Sequence, residues 1–377
     1  MNDKHQALGL LRISVVSPEL KVADVAFNSQ AISAAMGEAA ARGCRLAVFP
    51  ELCVTGYSCG DLFYQSLLLE EARRTIFRLA EEAGRQRIAA LVGAPVVIDG
   101  RLFNCALFLA AGRIVGIVPK TFLPNTQEYY EERWFSCADD LTADRVEWEG
   151  QTVPVGTDLL FRAENYPDCV IGVEVCEDVW VASPPSGFQA VAGAVLLCNL
   201  SASPETLGKA DYRRALVQAQ SARCLAAYAY ASAGPGESST DLVFSGHSLI
   251  AENGVVLTES ERFRFSTQMA MADIDLERLR NERLKSNSFA AGRAERPQRV
   301  LSFSLPTSVA EGLLRPVPAT PFVPPGDQER SRRCREIFAL QTTGLAKRLR
   351  HTEAKRAVIG LSGGLDSTLA LLVTVKA

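Results

Sequence analysis

The sequence predicts an α/β fold with a mixed sheet. Short β-rich runs alternate with helix-period segments, and several neighbouring runs are joined by tight turns that only antiparallel strands can share. Hydrophobic residues make up 47% of the 377 positions, enough for a large core, and the length suits two domains.

The elements follow in order. Residues 10–16 read as a strand and 22–42 as an Ala-rich helix stopped by Gly43. A compact apolar strand at 45–49 precedes a helix over 61–85. A strand over 88–98 closes at Asp99-Gly100, a hairpin turn signal. Runs 102–109 and 114–118 continue this pattern. Buried strands are expected at 169–175 and 194–199. Residues 209–231 begin as a helix and drift into a β-like tail. A hairpin is expected around Asn253-Gly254, then a strand over 268–274 and a charged helix over 276–285. Hairpins mixed with strand–helix units exclude an all-parallel sheet.

The domains read as 1–285, a Pro-rich linker or wrapping arm over 286–326, and a second unit over 327–377. In the second unit a helix to about residue 350 and a short strand over 357–361 lead into Ser362-Gly363-Gly364-Leu365-Asp366-Ser367 and a further helix. One strand–loop–helix cannot form a sheet alone, so this unit reads as truncated.

Several functions are poorly supplied. The formal net charge is -3 and the Arg-rich stretches at 330–335 and 347–356 read as solvated helix faces, which argues against nucleic acid. Ten scattered cysteines without a CxxC pair fit free thiols in a reducing cytoplasm. His5, His247 and His351 lack metal-ligand spacing, and a zinc site or Ser–His–Asp triad is not expected. No apolar run has the length of a membrane span, and the first ten residues lack a signal-peptide pattern.

Three polar residues each follow a β-like run: Glu51, Lys120 and Cys176. Adjacent strands bring their ends to one rim, where ligand sites form in α/β sheets. A thiolate there can attack an amide carbonyl, a carboxylate can carry the proton to the leaving ammonia, and an ammonium with a backbone N–H can stabilise the oxyanion. Glu177 and Asp178 suit a helix N-terminus, which is expected to lower the Cys176 pKa. Singly, each residue also reads as a small core thiol, a helix cap or a surface lysine.

The surrounding text adds to this. Val48-Phe49-Pro50-Glu51-Leu52 with Thr55-Gly56-Tyr57, Pro119-Lys120-Thr121-Phe122-Leu123-Pro124-Asn125, and Gly172-Val173-Glu174-Val175-Cys176-Glu177-Asp178 resemble the nitrilase, or carbon–nitrogen hydrolase, family. With Trp180 after the nucleophile, the likeness extends to the glutaminase domains of glutamine-dependent NAD synthetases, over about residues 10–284. The resemblance implies an αββα sandwich and a homo-oligomer. It implies that Glu51 is the general base, Lys120 the oxyanion stabiliser, Cys176 the nucleophile and Glu177 a supporting residue. Glu128 would orient the lysine; it also reads as a first-turn acid. Ser203 would bind the amino-acid end of glutamine, or be a turn serine. Lys209 stands where relatives carry arginine and would pair with the glutamine carboxylate. Thr126 stands where tyrosine is common, and Trp180 is a pocket wall or core.

Gly360, Leu361, Ser362, Gly363, Gly364, Leu365, Asp366 and Ser367 follow a strand and open a helix, without the lysine of a Walker A loop. They resemble the loop of ATP pyrophosphatases, with Asp366 near Mg2+. A loop that activates a carboxylate and an amidase that releases ammonia together imply an amidotransferase. The resemblance makes its acceptor nicotinic acid adenine dinucleotide, and it assigns these residues the glutaminase step alone, which needs no cofactor. The alternatives are a stand-alone amidase or carbamoyl hydrolase without ATP, an ATP-loop protein of tRNA thiolation, and an inactive scaffold.

Overall fold

The computed structural model describes residues 4–291, 296–307, 310–324 and 326–377. The chain divides into two compact units, Met1–Arg315 and Pro316–Ala377, each described here by itself.

The first unit opens with one helical turn (α1, Lys4–Ala7), strand β1 (Leu10–Ser17), helix α2 (Val25–Ala41), β2 (Leu46–Val48) and α3 (Ser66–Gln86). The Asp24 carboxylate accepts the Phe27 N–H at 3.0 Å and caps α2. Strands β3 (Ala89–Ile98), β4 (Arg101–Ala110) and β5 (Arg113–Pro119) form an antiparallel meander. Asp99 and Gly100 both have positive φ, 48° and 74°, which matches the right-handed twist of the hairpin they close.

A small hairpin, β6 (Arg145–Trp148) and β7 (Gln151–Pro154), precedes β8 (Leu159–Ala163), β9 (Val170–Val175) and α4 (Pro185–Val191). Then come β10 (Leu196–Ser201), α5 (Lys209–Arg223), β11 (Ala227–Ser232), β12 (Leu249–Glu252), β13 (Val255–Glu259), β14 (Gln268–Asp275), α6 (Leu276–Lys285), α7 (Asn287–Ala290) and β15 (Arg299–Phe303).

Two mixed sheets result. One has the order β14-β1-β2-β3-β4-β5, the other β13-β12-β11-β10-β9-β8-β15. Strand alternation gives each sheet two apolar faces. Leu11, Ile13, Val15, Leu46 and Phe108 of the first sheet meet Phe161, Ile171, Val173, Leu196 and Leu200 of the second in a buried layer. Phe108 stacks on Phe161 at 4.6 Å and meets Phe303 edge-on at 4.8 Å. The outer face of the first sheet packs against Ile32, Met36, Ile76 and Leu79 of α2 and α3. That of the second packs beneath Ala190 of α4 and Val217 of α5. The layers run helix, sheet, sheet, helix, as the resemblance implied.

The structure departs from the sequence reading at identifiable points. The helix expected over 61–85 is broken at Gln65 into a 3-10 turn, Gly60–Tyr64, and α3. The hairpin β6–β7 and strand β8 were not anticipated. The expected linker over 286–326 contains α7 and β15, and β15 pairs in parallel with β8. Its Val300-Leu301-Ser302-Phe303 text carries enough apolar area to join a sheet edge despite the prolines around it. Residues 292–295, 308–309 and 325 of that segment lie outside the described residues.

In the second unit, α8 (Asp327–His351) has no buried residue, and α9 (Leu365–Lys376) follows the Gly-rich loop. The strand expected over 357–361 is not formed. A strand needs a hydrogen-bonded neighbour, and the described residues of this unit supply none. Among the described residues no helix is long and apolar enough to cross a membrane.

Candidate active site

Glu51 lies just past β2, where the backbone turns sharply and Leu52 takes a left-handed φ of 52°. This turn is pressed against β3. A Cβ on Gly93 would lie 2.2 Å from the Leu52 nitrogen and 2.5 Å from the Pro50 oxygen, so only glycine lets the two backbones meet. The Glu51 carboxylate is fully buried. Its Oε1 accepts from Lys120 Nζ at 2.7 Å and from Asn104 Nδ2 at 2.5 Å. Its Oε2 accepts from the Ala202 N–H at 2.9 Å.

Lys120 follows β5, and its N–H donates to the Asn104 carbonyl at 2.8 Å. Asn104 thus holds the lysine by its backbone and the glutamate by its side chain. The Lys120 ammonium is also buried and donates to both oxygens of Glu131, at 2.7 and 2.8 Å. Burial opposes that charge, but Glu131 and Glu51 together outweigh it and raise the lysine pKa well above its usual value. Burial pushes the Glu131 carboxyl upward, against the pull of Lys120. The Tyr57 hydroxyl donates to Glu131 at 2.8 Å.

Glu131 therefore occupies the place expected for Glu128. The chain between Lys120 and Glu131 is irregular, with Gln127 at φ 55°, so no helical spacing selects residue 128. Glu128 instead lines a cavity of about 240 Å³ with Tyr57, Tyr129, Tyr130 and Phe244.

Cys176 is the first residue of a one-turn helix, Cys176–Val179, and has a left-handed φ of 46°. It is buried, and its thiol feels the charges of Glu51, Lys120 and Glu131 and the N–H of Ala202. Burial pushes the thiol up, and Glu51 adds to this; Lys120 pulls the other way without prevailing. The expected lowering is not found: burial of the thiol raises its pKa, the nearby carboxylates add to this, and a single turn has little dipole to oppose them. Asp178 ties this turn to the lysine: its carboxylate accepts from the N–H groups of Val175 at 2.9 Å, Thr121 at 3.1 Å and Phe122 at 2.9 Å.

Lys209, at the start of α5, lies within the electrostatic reach of Cys176, Arg213, Glu128 and Glu205, and burial lowers its pKa. Its Nζ stands 5.5 Å from the Trp180 ring, which packs against Tyr212. Glu177 shares this neighbourhood. Ser203 is buried and accepts from the buried Arg213 at 3.3 Å. Thr126 is exposed, and its carbonyl accepts the Tyr129 N–H. The structure thus gathers Glu51, Lys120, Cys176, Glu177, Trp180 and Lys209. Sequence reasoning missed Glu131, Asn104 and Gly93, and it read Asp178 only as an acid at a helix N-terminus, not as the clamp it forms. The Thr55-Gly56-Tyr57 text was noted, but nothing in it showed that the tyrosine reaches across to Glu131.

In the second unit Gly363 has φ 84°, and Ser362 Oγ lies 3.2 Å from Ser367 Oγ. Gly364 opens α9, and Asp366 is exposed in its first turn. Among the described residues no cluster of three or more His, Cys, Asp or Glu could hold a metal ion.

Fold and site define a class in which a buried cysteine, lysine and glutamate converge between two sheets. The carbon-nitrogen hydrolase family matches residues 12–283, and the chain belongs to that family. It is 40% identical over 375 residues to the glutamine-dependent NAD(+) synthetase of Mycobacterium tuberculosis, covering 98% of this chain and 55% of that protein. The chain therefore spans about half the length of the curated relatives it matches. The crystal structure of a glutamine-dependent NAD(+) synthetase from Cytophaga hutchinsonii is similar at 30% identity and a TM-score of 0.64, covering 70% of this chain and 43% of that one. An amidase of the nitrilase superfamily from Nesterenkonia shares the fold at 20% identity and a TM-score of 0.55, over 73% of this chain and 95% of that one.

Proposed function

We propose that this chain hydrolyses the side-chain amide of glutamine through a thioester on Cys176. The observation that carries the reading is the buried contact of Lys120 with Glu51 at 2.7 Å, beside the Cys176 thiol. Glu51 takes the thiol proton as sulfur attacks the amide carbon. The carbonyl oxygen gains the negative charge and is met by Lys120 and the Glu177 N–H. The C–N bond breaks as Glu51 returns the proton to the departing ammonia. Water, deprotonated by Glu51, then attacks the thioester carbon; the C–S bond breaks, Glu51 returns the proton to the Cys176 sulfur, and glutamate leaves. Glu131 and Tyr57 keep the lysine aimed, and Ala202 and Asn104 keep the glutamate aimed.

Glutamine is favoured over a simple amide by the charges around the thiol. Lys209 suits an α-carboxylate, Glu128 and Glu177 suit an α-ammonium, and Trp180, beside Lys209, would wall the pocket; Ser203 and Thr126 would meet the substrate only on the resemblance. The ammonia would serve ATP-dependent amidation of nicotinic acid adenine dinucleotide, in a cytoplasmic homo-oligomer. Residues Gly360–Ser367 would hold the ATP phosphates. Asp366 offers one exposed carboxylate, which suits a Mg2+ that arrives with the nucleotide and keeps most of its waters.

Glutamate formation from glutamine tests this. The wild-type chain is expected to release glutamate and ammonia in equal amounts without ATP, and Cys176→Ala is expected to release none. Equal rates for the two proteins would remove Cys176 from the mechanism.

A further inference from the structure

Glu174 is a buried carboxylate to which the chemistry above gives no task. It sits two residues before Cys176 on β9 and is 1% exposed. Val173 and Val175 belong to the layer between the sheets, so strand alternation turns Glu174 the other way, toward α4 and α5. Its oxygens are met by neutral donors. These are the Tyr228 hydroxyl and the Ser186 N–H, at 2.8 Å, at the start of α4.

Asn199 pairs with Glu174 in the parallel register of β9 and β10. Its Oδ1 accepts from the Ser201 hydroxyl at 2.7 Å, and its Nδ2 donates to the Cys176 carbonyl at 3.3 Å. A carboxylate can only accept hydrogen bonds. Glu174 therefore draws the NH2 end of Asn199 toward itself, while the Ser201 hydroxyl claims the oxygen end. Only one orientation of the carboxamide satisfies both, and it is the one that presents a donor to the Cys176 carbonyl.

That carbonyl matters because the Cys176–Glu177 peptide is planar and trans, so its N–H points opposite to its C=O. Fixing the carbonyl fixes the direction of the Glu177 N–H. This N–H lies at the second position of a one-turn helix, where no carbonyl of the turn can reach it. The left-handed φ of Cys176 is costly for a side-chain-bearing residue and needs such support.

We propose that Asn199 and Glu174 are positioning residues that hold the Cys176–Glu177 peptide so that the Glu177 N–H serves, with Lys120, as the oxyanion donor. This rests on the amidase reading above. It adds that the nucleophile's geometry is set from behind, through a hydrogen-bond chain on the helix side of the sheet.

The test uses the whole 377-residue chain with Glu174→Gln and Asn199→Leu, both close in volume to the native residues. Steady-state glutamine hydrolysis, thermal melting and alkylation of Cys176 by iodoacetamide are measured. Each folded variant is expected to lose about ten- to a hundredfold in kcat, with KM for glutamine within about threefold. Alkylation at sulfur passes through no oxyanion, so its rate is expected to stay within about threefold of wild type. Glu174→Gln carries the test if Asn199→Leu melts below the assay temperature, since glutamine keeps the volume while replacing one accepting oxygen with a donor that the Asn199 NH2 cannot meet. Unchanged kcat in a folded variant, or alkylation falling in step with kcat, overturns the proposal. A wild-type chain that does not hydrolyse glutamine overturns the amidase reading and this inference with it.

Discussion

Gly93 stands so close to Leu52 that a single methyl group on it would lie 2.2 Å from the Leu52 nitrogen. The neighbour is backbone and cannot swing aside, and it belongs to the turn that carries Glu51. Gly93→Ala is therefore expected to move the catalytic carboxylate. Stability should fall by about 1–3 kcal/mol, as for other overpacked cores. The kcat/KM for glutamine should fall about a hundredfold, because small misplacements of reacting groups are costly. Denaturant unfolding and steady-state kinetics check the two effects separately; wild-type kinetics in the variant would contradict the account.

Lys120 is the cation between two buried carboxylates, 2.7 Å from each. Replacing it with methionine leaves Glu51 and Glu131 facing each other without compensation, at an expected cost of about 3–5 kcal/mol near neutral pH. The sign of the pH dependence follows from Glu131. Its folded pKa is raised by burial, so the folded state binds the proton more readily than the unfolded chain. Its contribution is greatest at low pH and is lost as pH rises through the folded value. Lys120→Met should accordingly lose more stability relative to wild type at about pH 8 than at about pH 5.5. Thermal melting across that range checks it, and the opposite trend would contradict it.

The Cys176 thiol is pushed up by burial and by Glu51. A raised thiol pKa means less thiolate at any given pH. Alkylation by iodoacetamide without substrate should therefore keep rising with pH through about 9, past the value near 8.5 of a free cysteine. Mass-spectrometric rates at Cys176 over a pH series measure this. A plateau near neutrality would show a standing thiolate.

On the proposed reading, Lys209 supplies the cation that meets the glutamine carboxylate. Lys209→Met is expected to raise KM for glutamine about ten- to a hundredfold and to change kcat far less, because a carboxylate contact is made in ground and transition states alike. A fall in kcat at unchanged KM would place Lys209 in the chemistry instead.

Much of the fold could be read from local pattern. Asp99-Gly100 and Asn253-Gly254 announce their hairpins because both residues of each turn need positive φ. Strand β15 could not be read, since its place is set by an edge of β8 distant in sequence. The site divides in the same way. Glu51, Lys120 and Cys176 each follow a strand, so topology brings them to one rim. Glu131 sits beyond an irregular loop, and Asn104 lies within a strand, where an asparagine reads as a weak strand former and not as a clamp. Asp178 accepts from Thr121 and Phe122, more than fifty residues away, a contact no periodicity encodes. The rise in the Cys176 pKa follows from its burial first and then from carboxylates remote in sequence and near in space.

The most direct measurement is intact-mass and peptide analysis after treatment with a glutamine analogue bearing a γ-chloroketone in place of the amide. The account predicts one adduct, on Cys176, whose formation is slowed by glutamine and abolished in Glu51→Gln. Labelling of another residue, or glutamine hydrolysis that continues after Cys176 is fully modified, would contradict it.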